Sequence, residues 1–391
     1  MQSPESLPHP HPHSHTDPDL SGLEAQLAEW RAEQARIAGR VVVAPDPPPP
    51  PLPSSAGGGR FFAEVPRRGG GDGDGDGDGD DNALSGGVDV SFGDGDDAVA
   101  VYVVLRRRRS QEKEKKEGRR RGAGAGIVSP AYELVYSDHV RFALTIPYVS
   151  SYLSFREIAP LEELVRRQVA ASPGLTPRAI LVDGNGVLHP RRAGLACFLG
   201  VRTGIPTVGI GKKLCCIEEG WSNGEVETRL GQGLAALSLS LAGEDQAWGK
   251  DDSSGLRDRL FFDRSSIRLE TSTCAEGRTE TDAEEGGANL SSPSLSDAVA
   301  AMPPGRCSGY VAYLQSSDGS IVGAALVGHG GSSSASPKVS TKTARPIFIS
   351  VGHQISVFEA ATLCAGLAEV RIPEPVRAAD LMGRRLMREK T

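Results

Sequence analysis

Apolar residues recur at helical spacing near the start of the chain and in short β-rich runs further along. Leu23, Leu27, Trp30 and Gln34 stand three or four residues apart, which predicts a helix over residues 21–43 that ends in a run of valines. Three later runs rich in β-branched and aromatic residues predict an antiparallel meander of strands. These runs lie at 87–92, 98–105 and 132–146.

Beyond residue 158 the pattern alternates between helix and strand. Predicted helices at 161–171 and 193–203 are interleaved with buried strands at 179–183 and 206–210, and this alternation is typical of parallel pairing. The last elements are three strands and a helix opened by the capping box Ser356-Val-Phe-Glu359. The strands lie at 309–315, 321–327 and 346–351. The whole predicts an α/β fold: a ribonuclease H-like mixed sheet flanked by helices.

Composition limits how much of the chain can join this core. The 48 glycines and 27 prolines of the 391 residues are concentrated in stretches that bury too little apolar surface to offset the entropy of ordering them. We therefore expect a disordered tail at 1–20 and a single domain over 21–391 that is interrupted by long, disordered, low-complexity insertions. The insertions are expected at about 46–82, 106–126, 243–300 and 330–345.

Charge and cysteine content narrow the function classes. The net charge of −7 argues against a protein that coats nucleic acid, but the regions 156–192 and 376–389 are locally basic. Six cysteines without a CxxC pair predict neither a zinc site nor a disulfide scaffold. No apolar leader or membrane span is evident, so we expect an intracellular protein, in the nucleus or cytoplasm. The basic tract at 106–121 is either a solvated loop or a nuclear-localisation or RNA-contacting patch.

Three acidic residues stand where a metal site is expected. Asp89 lies between valines in a predicted strand, Asp183 ends an apolar strand before a glycine-punctuated turn, and Glu157 follows Phe155-Arg156. Together they would form the all-oxygen site that Mg²⁺ prefers and that supports phosphodiester hydrolysis. The alternative for each acid is a hydrogen-bonded structural residue.

Other candidate residues lie in loops just past predicted strands. His189 and His353 fit functional loop positions or simple surface and capping roles, and Lys212 could steady a phosphate oxygen or remain solvated. Pro147-Tyr148 ends the third strand, where the ring could stack on a base or pack in the core.

Two segments carry a more specific signal. Residues 147–157 and 183–196 resemble the endonuclease V family. Further matches follow in the same order as the family's motifs: a first strand, a lysine segment, a histidine segment and a C-terminal tail. These are 87–92, 206–212, 351–356 and 371–377.

The resemblance implies an activity and a set of roles. It implies an endonuclease that hydrolyses the second phosphodiester bond 3′ to inosine in RNA and/or DNA, leaving 3′-hydroxyl and 5′-phosphate ends. Mg²⁺ is the implied cofactor, with Mn²⁺ as a substitute. The implied partner is inosine-containing single-stranded RNA or DNA. We expect the protein to be a monomer and not to bind a membrane. The implied roles are metal binding by Asp89, Glu157 and Asp183, assistance by His353, phosphate contact by Lys212, a wedge at Pro147 and Tyr148, and a base pocket at Leu153, His189 and Gly194.

The wedge departs from the bacterial pattern. Ser150 and Ser151 stand where bacterial members continue to a proline and a glycine, which favours single-stranded substrates, since unstacked bases are the easiest to extrude. Two alternatives remain at this point: an inosine-RNA binding protein that does not cleave, and a ribonuclease H-like nuclease of other specificity.

Overall fold

The structure is a computed structural model. It describes residues 20–46, 60–64, 83–108, 127–214, 224, 226–233, 259–268, 309–316, 319–328, 345–368 and 370–389. The predicted tail apart from Leu20, and most of the four predicted insertions, including nearly all of the basic tract, lie outside the described residues.

Ten strands of the described chain form one mixed sheet. They are β1 (Arg60–Glu64), β2 (Leu84–Phe92), β3 (Asp97–Arg107), β4 (Tyr132–Ala143), β5 (Ala179–Asp183), β6 (Thr207–Gly211), β7 (Arg259–Arg268), β8 (Gly309–Gln315), β9 (Ile321–Gly328) and β10 (Ile347–His353). Their order across the sheet is β1-β7-β8-β9-β10-β6-β5-β2-β3-β4. The predicted meander is confirmed, because β2, β3 and β4 pair antiparallel, and β5 pairs in parallel with both β2 and β6.

Helices flank this sheet. Those with defined bounds are α1 (Leu20–Ala38), α2 (Ser154–Ala171), α3 (Leu195–Thr203), α4 (Val357–Leu367) and α5 (Glu374–Arg388). The predicted capping box of α4 is present, with each of Ser356 and Glu359 accepting from the other's backbone N–H at 3.0 Å. Among the described helices, none is both long and apolar enough to cross a bilayer.

Continuous apolar runs occupy the middle of the sheet. In β3 the side chains of residues 98–105 are all buried, and in β5 the first four residues are buried. Such runs are expected where both faces of a strand are covered, whereas β4, at the end of the strand order, alternates between more and less exposed positions. The fold is therefore the mixed, helix-flanked sheet that the sequence predicts.

Apart from shifts of a few residues at the ends of elements, three features of the structure differ from the sequence predictions. Helix α2 begins at Ser154, whereas the sequence predicts a start at Leu161. Proline favours the first turn of a helix, which suggests a start near Pro160, but Pro160 lies inside the helix. Helix α5 was expected only as a basic tail, although Val376, Ala379 and Gly383 have helical spacing and are buried. Strands β1 and β7 lie within segments that we expected to be disordered, and they pair with each other.

Candidate active site

Two carboxylates meet where β2 and β5 run side by side. The parallel ladder pairs Val88 with Val182, so that the next residues, Asp89 and Asp183, lie on adjacent strands about 5 Å apart. Their side chains are close enough to share a hydrogen bond, which requires a proton between two groups that would otherwise both be negative. The sheet register therefore brings together two of the three predicted metal ligands.

Both Asp89 and Glu157 are buried, with 7% and 8% of their surfaces exposed. Burial raises the pKa of Asp89 well above its usual range, and the charges of Asp183 and Asp380 raise it further. Glu157 lies in the first turn of α2. Burial raises its pKa to about 7, against the lowering effect of Arg156 and with a further rise from Asp183. The site thus concentrates carboxyl groups in a place that water reaches poorly.

Lys212 is the cation nearest to this pair in the described contacts. It follows β6, and its Nζ donates to Oδ2 of Asp183 at 2.5 Å. Burial lowers the pKa of Lys212, but the carboxylates of Asp183, Asp89 and Asp380 outweigh this effect and raise it overall. The lysine side chain remains 44% exposed. It can therefore contact a bound phosphate while it stays beside the acids.

A fourth acid comes from α5, which packs on the face of β2 from which Asp89 points. A Cβ on Gly87 would overlap the backbone of Pro375, and a Cβ on Gly383 would overlap the side chain of Ser91. This close approach puts Asp380 near enough for its charge to act on both Asp89 and Lys212. Sequence reasoning missed Asp380 because it missed the helix.

Asp89, Glu157, Asp183 and Asp380 together form what we call the acid edge. These residues fit a divalent cation. Carboxylate oxygens are the ligands that Mg²⁺ prefers, and Mg²⁺ commonly takes one or two carboxylates while water and substrate phosphates complete its shell. Within the described residues no three acidic, histidine or cysteine side chains form a ready-made metal cluster. The side-chain oxygen of Asn185, two residues past Asp183, is buried and has no hydrogen-bond partner in the described part of the chain. Asp89 and Asp183 are the pair that would hold the ion, and direct ligation by Glu157 stays a prediction.

His353 lies away from the acid edge. On β6, His353 pairs with Thr207, whereas Asp183 pairs with Ile210. The two positions on β6 are three residues apart. Three residues along a strand correspond to about 10 Å. The His353 imidazole is buried, its pKa is lowered by burial and by Arg40, and its Nδ1 accepts the backbone N–H of Val42 at 3.2 Å. The structure therefore does not bring together His353 and the acids, and Asp380 lies there instead.

The predicted wedge residues form the loop between β4 and α2. Pro147 is exposed, and Tyr148 exposes 69% of its surface, so the ring is available to stack on a base. The guanidinium of Arg156 lies over the rings of Tyr148 and Phe92, at 5.9 and 5.8 Å from their centroids. Leu153 ends the loop at the N-cap of α2. An exposed aromatic surface thus borders the helix that carries Glu157.

His189 and Gly194 lie on the segment that faces this loop. His189 is buried, and burial together with Arg191 lowers its pKa to about 4. Its Nδ1 accepts the backbone N–H of Arg191 at 3.2 Å, so Nε2 carries the proton and donates to the Ser151 carbonyl at 3.0 Å. A Cβ on Gly194 would overlap the backbone of Asn185, which explains the glycine by packing. The structure therefore places His189 against the wedge loop, and its role in a base pocket stays a prediction.

Comparison with known proteins identifies the family of this chain. A family model described as Endonuclease V matches residues 109–239 and 312–381, just over half of the chain. The chain belongs to the endonuclease V family. The segments that the endonuclease V model matches contain Glu157, Asp183, Lys212 and Asp380, while Asp89 precedes the first of them.

Curated relatives point to the same family. Human endonuclease V is 32% identical over 260 residues, which are 66% of this chain and 63% of the human protein. Mouse endonuclease V is 29% identical over 259 residues, 66% of this chain and 52% of the mouse protein. The chain thus spans less than two thirds of the length of these relatives.

Solved structures share the fold. The crystal structure of human ENDOV has a TM-score of 0.53 at 26% identity and covers 93% of this chain and 99% of that chain. The catalytic domain of human endonuclease V has a TM-score of 0.50 at 27% identity and covers 94% and 98%.

Proposed function

We propose that this protein is a divalent-metal-dependent endonuclease that acts on inosine-containing nucleic acid. It hydrolyses the second phosphodiester bond 3′ to inosine and leaves 3′-hydroxyl and 5′-phosphate ends. The observation that carries the proposal is the contact between Asp89 and Asp183 on adjacent parallel strands. Membership of the endonuclease V family and the exposed Tyr148 support the choice of substrate.

The acid edge supplies the charges that phosphodiester hydrolysis requires. Bound Mg²⁺ or Mn²⁺ would neutralise negative charge on the reacting phosphate. Asp89 and Asp183 would hold the ion, and Glu157 and Asp380 add negative charge next to it. Lys212, already beside Asp183, is placed to contact a phosphate oxygen as a point charge.

Base recognition takes place at a separate surface. Tyr148 offers a ring for stacking, and His189 braces the loop that carries it. A base held there and a phosphate held at Asp89 and Asp183 would lie at a fixed offset along the strand. This arrangement accounts for cleavage one nucleotide away from the recognised base. Single-stranded RNA or DNA is the proposed substrate, because an unstacked base is the easiest to extrude.

The test uses end-labelled single-stranded RNA and DNA that differ only in one inosine or adenosine. Cleavage at the second bond 3′ to inosine with Mg²⁺ or Mn²⁺, and none with EDTA or with the Asp183→Asn variant, is expected. Inosine-dependent binding without any cut would favour a non-cleaving inosine-RNA binding protein. Cuts indifferent to inosine would favour a ribonuclease H-like nuclease of other specificity.

We further propose that the protein acts as a monomer in the nucleus or cytoplasm. All residues invoked above come from one chain, so no step requires a second copy. A single gel-filtration peak at the monomer mass, with and without an inosine-containing oligonucleotide, is the expected result.

A further inference from the structure

One backbone carbonyl of the wedge loop is held by three side chains from two separate segments. The Ser151 oxygen accepts from Gln34 Nε2 at 2.9 Å, from Arg191 Nη2 at 2.9 Å and from His189 Nε2 at 3.0 Å. A carbonyl oxygen has two lone pairs, so three donors fix the direction of this peptide unusually firmly. Ser151 itself has a left-handed φ of 62°, a conformation that non-glycine residues rarely adopt without such support.

Helix α1 supplies the first of these donors. Trp30, Gln34 and Ile37 follow one another at steps of four and three, and all three are buried against the rest of the fold. Gln34 is fully buried, and its Nε2 also lies 3.4 Å from the carbonyl of Ala193. A buried glutamine between apolar neighbours requires partners for its amide, and the wedge loop provides one of them at Ser151.

Arg191 connects the helix to the loop. Its Nε donates to Oε1 of Gln34, and its Nη2 donates to both the carbonyl and the hydroxyl of Ser151, the latter at 2.8 Å. The guanidinium also lies 4.1 Å from the ring centroid of Tyr152, whose hydroxyl accepts from Arg31 Nε at 3.1 Å. The loop is thus tied to α1 at two consecutive residues.

We propose that Gln34 and Arg191 are positioning residues that set the direction of the wedge loop and thereby the selectivity for the extruded base. This inference rests on the proposed function. Neither side chain has a described contact with the acid edge, and Tyr148, three residues before Ser151, is largely exposed. The network therefore acts on how the base is held, and the hydrolytic step is left to the acids.

The test compares three variants on α1. Gln34→Leu removes the donor to Ser151 and the acceptor of Arg191. Gln26→Leu makes the same substitution on the exposed side, where the Gln26 amide donates to Glu29. Ile37→Ala loosens the packing of α1 without removing a hydrogen bond. Oligonucleotide affinity is measured with each variant combined with Asp183→Asn, so that the substrate is not cut. Cleavage rates are measured with each variant alone.

Gln34→Leu is expected to weaken binding of the inosine oligonucleotide about tenfold, while binding of the adenosine oligonucleotide and kcat stay within about twofold. Amide hydrogen exchange over residues 148–153 is expected to accelerate about tenfold. Gln26→Leu leaves all these quantities unchanged, and Ile37→Ala lowers Tm but keeps the preference for inosine.

Two results would overturn the inference. One is that the Gln34→Leu variant prefers inosine over adenosine as strongly as the wild type does. The other is that Ile37→Ala loses this preference to the same extent, which would show that the network only holds α1 against the fold. A wild-type protein that does not distinguish inosine from adenosine would instead overturn the proposed function. In that case unchanged loop exchange in Gln34→Leu would also remove the positioning role.

Discussion

The acid edge and the wedge loop are held in opposite ways. At the acid edge, Asp89 and Asp183 are pressed together with one ammonium, that of Lys212, beside them. At the loop, the Ser151 carbonyl has three donors, and the side chains around it satisfy one another. The first region crowds carboxyl groups that a bound cation would separate, and the second has its carbonyl hydrogen-bonded before any ligand binds. We therefore expect the residues that hold the metal to lower the stability of the fold and the residues that hold the wedge loop to raise it.

The largest effect is expected at the acid pair. Asp183→Asn keeps the shape of the side chain but removes the charge beside Lys212, so kcat should fall on the order of a thousandfold. Affinity for the inosine oligonucleotide should change by less than about threefold, because recognition lies elsewhere. Single-turnover cleavage and fluorescence anisotropy measure the two effects. Asp138→Asn on β4 is the matched control, and normal cleavage by Asp183→Asn would refute the metal-pair assignment.

A second comparison sets Asp380 against His353. Asp380→Asn removes a charge that acts on Asp89 and Lys212, so kcat should fall about a hundredfold. His353→Asn, at the other end of β10, should leave kcat within about twofold. Arg384→Gln removes the ion-pair partner of Asp380 but keeps the Asp380 carboxylate, and it controls for the loss of that contact. The reverse ranking in a kinetic assay would restore the role first expected for His353.

Acid should weaken the recognition region through His189. Its folded pKa of about 4 lies below the unfolded value of about 6.5, so the folded state binds fewer protons between these values. Stability is then lost as pH falls below about 6.5, by about 2 kcal/mol at pH 5. His189→Gln should flatten this part of the curve in urea titrations at several pH values. A slope that is unchanged in the variant would show that other groups cause it.

Removal of the exposed ring should affect affinity more than rate. Tyr148→Ala eliminates one stacking surface and should weaken binding of the inosine oligonucleotide about tenfold. The value of kcat at saturation should change by less than about threefold. Tyr148→Phe keeps the ring and should bind as the wild type does. A drop in kcat without a change in affinity would place Tyr148 in the reaction itself.

The smallest effect is one of stability, and its sign differs between the regions. Asp89→Asn relieves repulsion among buried acids and should raise the unfolding free energy in EDTA by roughly 1 kcal/mol. Gln34→Leu, which breaks a satisfied network, should lower it by a similar amount. Denaturant titration measures both, and a loss of stability in Asp89→Asn would contradict the view that the acid edge is strained.

Local patterns were enough to predict most elements and the main acids. The runs that form β3 and β5 are apolar throughout, and Asp89 and Asp183 stand out because charge is rare in such strands. What local patterns could not supply is proximity. Gln34 looked like one more position of a helix face, and only the folded chain places it against Ser151, 117 residues away.

Asp380 and His353 lie in positions that local sequence patterns do not reveal. Asp380 was missed, although its helix has the apolar spacing that could have revealed it, because the basic residues of that segment drew attention to charge. The family resemblance implies that His353 assists at the site, but strands of opposite direction end at opposite edges of a sheet. Strand β10 runs antiparallel to β6, so its last residue lies far from Lys212.

The pairing of β1 with β7 also bears on how the protein tolerates long additions. Four strands separate β7 from β5, so the added ribbon lies about 24 Å across the sheet from the carboxylate pair. The ribbon also pairs with the edge of β8, which would otherwise expose backbone amides to which strands of other molecules could pair. Residues can therefore be inserted at this edge of the sheet without moving Asp89 and Asp183, and a reporter domain fused there should leave the activity unchanged.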